Sequence, residues 1–435
     1  LTLSNVRIGG LANGGEVVVP RIATGFSMMD SLQGRIRPKS LELNGIDLTL
    51  ARDTKGILRL GAAGDETPLQ VWPPVGSGDE LAQLTAFLRE ATRGDGPLML
   101  DALEDVSFED VALRFGDQRN GEVWRADNAG ARLLRDGDIY SGSVNAVLTQ
   151  DGRAPLPVQA SVTRNDRIGE TRYQIRFQDA RPSDLAEQVE VLAWLALVDA
   201  PVSGALAAEI HDDGRLLSLS GHLRMGQGAV TPMPGRSISF AGADTYFTYD
   251  AERDAFEVSA LRVDTMYGAL RTRGDVMLGR DAEGAIDTLT GQLDLTDLSV
   301  RANAGEGEAL TFSQGSALAR VSLDPFRVDL GRVDLHEGPL RAELSGHVAA
   351  LPDRWQVSID ARAEELTAGQ IMAGWPAALE PKLRQWLEEH IEAGMMTRAD
   401  AFIRADGGRP KLGLDFRFRE ARGQILDHMP PLVDA

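Results

Sequence analysis

The sequence predicts a mainly β protein: an extended, curved antiparallel sheet of repeated hairpins, groove-like, with a few interrupting α-helices. Three observations carry that prediction. Apolar and polar residues alternate with period two along most of the chain, as in strands with one dry and one wet face. The 435 residues include 46 glycines, which a helical protein would not tolerate, because Gly in a helix interior costs about 1 kcal/mol relative to Ala. Turns such as Asp151-Gly152, Asp213-Gly214 and Glu283-Gly284 sit between the alternating runs, where Gly takes positive φ without steric cost.

Taken in order, Leu1 to Ile8 reads as a strand, and Leu41 to Leu50 alternates with a single break at Gly45. The polar turn Arg52 to Gly56 then leads into Ile57 to Leu60, giving a hairpin. Further hairpins are expected around Gln150–Arg153, Asp212–Arg215, Asp250–Asp254 and Arg280–Gly284. Two stretches look like copies of one unit. The first runs Phe256, Val258, Leu261, Val263, Gly268, Leu270, Gly274, Val276; the second runs Phe326, Val328, Val333, Gly338, Leu340, Gly346, Val348. Phe, both Val, the first Gly and Leu keep their offsets, while the final Gly shifts by two. A looser copy starts at Trp124. Repeats of this size suggest stacked hairpins that extend one sheet.

Helices interrupt this pattern at Asp79–Arg93, at Pro182 to about Asp199, and at the pair Thr367–Gly374 and Glu380–Ala393, which is to stop at Gly394. The chain therefore divides into an N-terminal β region (1–76), a helix (77–95), a β region (96–181), a helix (182–200), a repetitive β region (201–365), a helical insert (366–395) and a truncated β continuation (396–435).

Composition narrows function. A net charge of −20 repels nucleic-acid phosphates and argues against flat adsorption on anionic headgroups, so no nucleic-acid partner is expected. There is no cysteine, which removes disulfides, thiolate catalysis and thiolate metal sites. None of the six histidines lies within zinc-motif spacing of another, and His222 and His347, both after Ser-Gly, read as structural strand starts. No nucleophile elbow, P-loop or dinucleotide fingerprint is present. With 65 Asp and Glu, carboxylate pairs carry no information. We expect no catalytic residues, no metal, no cofactor and no enzyme activity. The longest strongly apolar run, Val191 to Val198, is far short of the ~20 residues a bilayer span needs, and both ends read as cuts.

The segment Ser31 to Leu50, continuing through Arg52-Asp53 and Gly56, is similar to the opening β region of the AsmA-like family of bacterial envelope proteins. There, a small-Gly-Arg-Ile stretch (Gly34-Arg35-Ile36 here) leads into two strands and an Arg-Asp-x-x-Gly turn. Leu3 to Ile8 resembles the strand that follows their membrane anchor, a helix this sequence lacks. Trp375-Pro376, Pro381 to Leu387, Gly394-Met395-Met396 and Asp427 to Leu432 resemble the helical insert of the long members. The middle of the chain is similar only in its β-rich texture. The resemblance implies a periplasmic segment, anchored to the inner membrane by a helix outside it. It also implies phospholipid as partner, conducted along an apolar trough towards the outer membrane, and an outer-membrane or envelope protein as a further partner.

Candidate trough residues are the apolar positions of the repeat: Val258, Leu261, Val263, Leu270, Val276, Phe326, Val328, Val333, Leu340 and Val348. The same residues would be ordinary core if the sheet closed into a sandwich or packed on the helices. Two further functions use the same fold: a structural or assembly protein making protein contacts, and a glycan-binding or glycan-processing module. With six Trp and five Tyr and no cluster of them, the glycan reading ranks last. Whether the apolar face is open or plugged separates the other two.

Overall fold

The computed structural model describes residues 1–8, 17–26, 38–55, 57–62, 70–72, 104–118, 121–186, 190–212, 215–282, 284–301, 303–304, 308–375 and 380–424. They form two compact units, Leu1–Ala180 with Ser203–Leu219, and Arg181–Val202 with Ser220–Ala435. The fold is mainly β, as the alternation predicts.

The first unit contains β1 (Thr2–Ile8), β2 (Val17–Phe26), β3 (Pro38–Asn44), β4 (Asp47–Arg52), β5 (Leu58–Ala62), β6 (Gln70–Trp72), β7 (Asp105–Asp117), β8 (Glu122–Asp136), β9 (Ile139–Leu148), β10 (Leu156–Asn165) and β11 (Glu170–Ala180). β7 through β11 are consecutive antiparallel hairpins. β7, however, runs parallel to both β3 and β4, a pairing that period-two alternation cannot announce. The break at Gly45 separates β3 from β4, and β7 answers it with a bulge between Phe108 and Val111. Gly45 N–H then donates to Glu109 O at 3.0 Å, and Ala112 N–H donates to Ile46 O at 2.9 Å, so both β3 and β4 stay paired.

The turn after β4 is built by Asp53, whose Oδ1 accepts from Lys55 N (2.8 Å) and Ile57 N (2.9 Å). Its neighbour Arg52 turns inward. The Arg52 guanidinium reaches Asp117 Oδ2 at 3.0 and 2.5 Å, stacks over Phe115 at 5.9 Å, and is 8% exposed against 4% for Asp117. A buried ion pair gains little over a well-packed apolar pair, but breaking it strands a charge.

In the second unit, residues 181–202 bring α1 (Pro182–Ala186), a 3-10 helix (Glu190–Leu197) and β12 (Val198–Asp199). This corrects the expected continuous helix to Asp199. Val191 to Val198 is apolar on every side, so it has no face to leave in water. It tightens, buries Leu195 completely and passes into a strand in which Val198 pairs with Val230. β13 (Val202–His211) returns to the first unit, and the boundary between units falls within β14 (Leu216–Met225). The 3-10 helix, β12 and the hairpin β15 (Gly228–Met233) and β16 (Arg236–Phe240) form a small separate layer.

The main sheet of this unit comprises β17 (Gly242–Asp250), β18 (Ala255–Thr265), β19 (Gly268–Arg280), β20 (Ile286–Val300), β21 (Leu310–Phe312), β22 (Gln314–Ser322), β23 (Arg327–Glu337), β24 (Leu340–Ala350), β25 (Trp355–Glu364), β26 (Leu366–Thr367), β27 (Ile391–Asp406) and β28 (Lys411–Gly423). Between β26 and β27 lie α2 (Ala368–Gly374) and α3 (Pro381–His390). Thr367 caps α2, its Oγ1 accepting from Gln370 N at 3.2 Å while Gln370 Oε1 accepts from Thr367 N at 2.9 Å. α3 stops at His390 and not near Gly394, because Ile391 enters β27 and pairs with Gly423. The expected helix at 79–93 lies outside the described residues.

The sequence repeat is physical. β18 bulges between Val258 and Leu261 opposite Gly274, and β23 bulges between Leu330 and Val333 opposite Gly346. The two-residue shift of the final Gly is thus matched by a two-residue shift of the bulge. Gly274 (φ +145) and Gly346 (φ +141) lie so close to the next strand that a Cβ would fall 2.2 Å from Gln292 O and 2.0 Å from Ser358 O. Bulges bend and twist a sheet locally, and these two recur where the repeat places them.

Two stability outcomes follow from these contacts, each read by urea unfolding. Asp117→Ala is expected to lose about 3–5 kcal/mol by removing the carboxylate buried against Arg52. Gly346→Ala is expected to lose at least about 1–3 kcal/mol, whereas Gly408→Ala, which meets nothing within 4 Å, should change stability by less than about 0.5 kcal/mol.

Candidate functional site

Residues that pair directly across an antiparallel sheet share a face, so the register assigns every side chain in the second unit. One row reads Val258, Gly274, Leu293, Ala317, Val333, Leu344, Ala361, Ala401 and Leu414, one residue from each of β18, β19, β20, β22, β23, β24, β25, β27 and β28. All nine are half-buried. The next row on the same face is Phe256, Val276, Gly291, Ala319, Leu330, Gly346, Ile359, Ile403 and Leu412. Neither row contains a charge or a side-chain hydrogen-bonding group. At ~4.8 Å per strand, the stripe is about 40 Å long, more than twice the ~15 Å depth of one leaflet of bilayer hydrocarbon.

All ten predicted trough residues have the side-chain parity of this face. Val258, Leu261, Val263, Leu270 and Val276 meet through the β18–β19 register, and Val328, Val333 and Val348 through β23–β24. Those eight are half-buried. Phe326 (5% exposed) and Leu340 (1% exposed) are closed core; Phe326 packs edge-on against Trp355, and Leu340 lies among Leu335, Phe312 and Leu366. The face is therefore walled at its margins and half-open between them. One margin is packed by β21, β26 and Ile371 of α2 around Leu295, Leu335 and Met396. Towards the other lie Phe326 and Trp355, where Ala350 N–H donates to Phe326 O at 3.1 Å.

The opposite face carries the charges, with exposed Met277, Leu318 and Phe402 among them. Its matching row is Arg273, Asp294, Ser316, Asp334, Glu343, Arg362, Asp400 and Asp415. An Arg-x-Asp pattern repeats within single strands: Arg262 donates to Asp264 (2.8 Å), Arg327 to Asp329 (2.8 Å), Arg332 to Asp334 (2.8 Å) and Arg398 to Asp400 (2.6 Å). The bonds from Arg398 and Arg362 hold the exposed Asp400 carboxyl down to about 2. Sequence reasoning drew no information from the carboxylates, although the i, i+2 spacing of Arg and Asp on a strand was the available signal.

A shallow depression on the charged face surrounds Phe402, which lies across Gly413 beneath the Arg404 guanidinium at 5.3 Å. Its charges satisfy one another: Arg362 with Asp400 at 2.8 Å, Arg404 with Asp360 at 2.6 Å, Arg332 with Glu343 at 3.4 Å. His222 and His347 are not strand starts, but lie within β14 and β24. His222 stacks on Tyr246 at 4.0 Å and bonds Asp244 Oδ2 at 3.1 Å. Burial opposes ionisation of Asp244, but the bonds from His222 and Arg224 outweigh it and lower its pKa. Among the described residues, no three His, Asp or Glu side chains gather as metal ligands, and no helix is long and apolar enough to cross a membrane.

Comparison with family models, with curated proteins and with solved structures gives no match.

The ion-pair row gives a pH test. Asp400 binds its proton more weakly folded than unfolded, so its contribution is present above the ordinary value of 3.8 and is lost as pH falls towards about 2. A carboxyl-carbon NMR titration of Asp400 is expected to show that low midpoint, moved up towards the ordinary value by Arg398→Gln.

Proposed function

We propose that this chain is a non-enzymatic, periplasmic segment of an inner-membrane-anchored envelope protein that shields phospholipid and conducts it along the apolar face towards the outer membrane. The observation behind the reading is the neutral, half-exposed stripe crossing nine strands. Each CH₂ kept from water is worth about 0.8 kcal/mol, so acyl chains favour such a stripe without any specific pocket. A floor without hydrogen-bonding side chains gives no position a special hold on the cargo, which suits movement along it. The resemblance of Leu41–Asp53 and of the α2–α3 region to AsmA-like proteins supplies the cellular setting and the direction of travel.

Native mass spectrometry with lipid extraction tests this on the purified protein. Wild type is expected to retain phospholipid, while Ala317→Glu and Ala361→Glu, which raise a carboxylate from the floor, lose most of it with circular dichroism unchanged. Ser358→Glu should retain lipid, because it lies on the charged face between His347 and Arg404. If wild type carries no lipid, the same face serves protein contacts in outer-membrane assembly.

A further inference from the structure

We propose that the tip of the β18–β19 hairpin is a membrane-contact point, with Met266 and Tyr267 entering a phospholipid surface and Arg301 binding its phosphates. This contact is separate from whatever the sheet carries.

Two residues, Met266 and Tyr267, join β18 to β19 between the paired Thr265 and Gly268. Loops of this length favour Asn, Asp and Gly, and turns such as Glu252–Asp254, Pro352-Asp353 and Gly407–Arg409 in the same unit are polar or built on Gly and Pro. Here both tip residues are largely apolar and more than half exposed, Met266 at 52% and Tyr267 at 56%. The fold does not ask for them: at the offsets set by Phe256 and Phe326, the second copy of the repeat carries His336 and Glu337. The tip is also stiff. Tyr267 N–H donates to Thr265 Oγ1 and Thr265 Oγ1 donates to Gly268 O, both at 3.1 Å. From the end of β20, Arg301 N–H donates to Tyr267 O at 2.8 Å. A rigid scaffold that presents side chains on a loop is a common way of placing binding groups.

Charge and shape select the partner. Asp264 and Asp297 on these strands are matched by Arg262 at 2.8 Å and Arg271 at 4.0 Å. Arg301, opposite Tyr267, forms no ion pair with any described residue, so the tip carries a local positive charge on a chain of net −20. A protein partner would need a pocket cut to this convex loop, whereas a bilayer interface needs none. Tyr suits the headgroup level of that interface, and Met, flexible and apolar, suits the acyl boundary beneath it. An Arg stem tolerates apolar surroundings while its planar fork matches a phosphate. The negative charge of the rest of the chain keeps its other surfaces off anionic headgroups, which confines the contact to this point.

The chain has no cysteine, so Met266→Cys carries an environment-sensitive NBD label at the tip alone. On phosphatidylcholine vesicles its emission is expected to shift to the blue. The same label at Ile168→Cys, an apolar residue 54% exposed in the turn between β10 and β11, is expected to stay unchanged. In co-sedimentation of the unlabelled protein, partition onto vesicles is expected to fall roughly tenfold in Tyr267→Ser, as for one large side chain left in water. It should also fall in Arg301→Gln and hold in Arg301→Lys, with circular dichroism unchanged throughout. A silent label at 266, equal shifts at 266 and 168, or partition undiminished by Tyr267→Ser overturns the membrane contact. Phospholipid retained in native mass spectrometry alongside any of these leaves the lipid reading standing. Partition undiminished by Arg301→Gln overturns the phosphate contact.

Discussion

The second unit depends on register. Its strands alternate aliphatic and charged residues, and a slip of one residue in any pairing would turn that strand over, setting a charged row among aliphatic ones. The pairing of Val333 with Ala317 on one side and Leu344 on the other therefore fixes more than one contact. It also fixes that Arg332 and Asp334 face water. The tight margins, with Leu335, Met396 and Leu366 packed on one side, have meaning only because every strand between them presents the same face.

Bulges are the exception that preserves this rule. A bulge sets two residues against one, and without the local bend that absorbs it this single extra residue would reverse the faces beyond it. In β18, residues 259 and 260 together stand opposite Arg273, and Leu261, opposite Thr272, returns to the face of Val258. In β23, Gly331 and Arg332 stand between paired Leu330 and Val333, with Leu344 directly opposite Val333 and Gly346 opposite Leu330. Aliphatic parity survives both distortions. The glycines across from them then accept the close backbone approach that a bent ladder brings.

Much of this was legible in the sequence. Alternation gave the strands, and Asp-Gly and Glu-Gly turns gave hairpins such as β9–β10 and β19–β20. The repeat gave the apolar set, which the register gathers on one face. What escaped had physical reasons. Parallel pairing of β7 with β3 and β4 joins strands far apart in the chain and leaves no local mark. The run Val191–Val198 has apolar character without periodicity, so it fitted a helix or a strand equally and became a 3-10 turn and a strand. Phe326 and Leu340 differ from their fellow candidates only through what packs over them, which no single-strand pattern encodes.

The Arg-x-Asp pairs have a consequence for how such a sheet can change length. Each arginine finds its counter-ion two residues away on its own strand, as Arg327 does in Asp329 and Arg332 in Asp334. At these pairs a hairpin brings part of its wet-face charge already balanced, while cross-strand pairs such as Arg362 with Asp400 and Arg404 with Asp360 tie it to its neighbours. A unit added with both members of such pairs keeps the new seam balanced. Length becomes something duplication can tune in steps of one hairpin, while the chemistry of both faces stays constant.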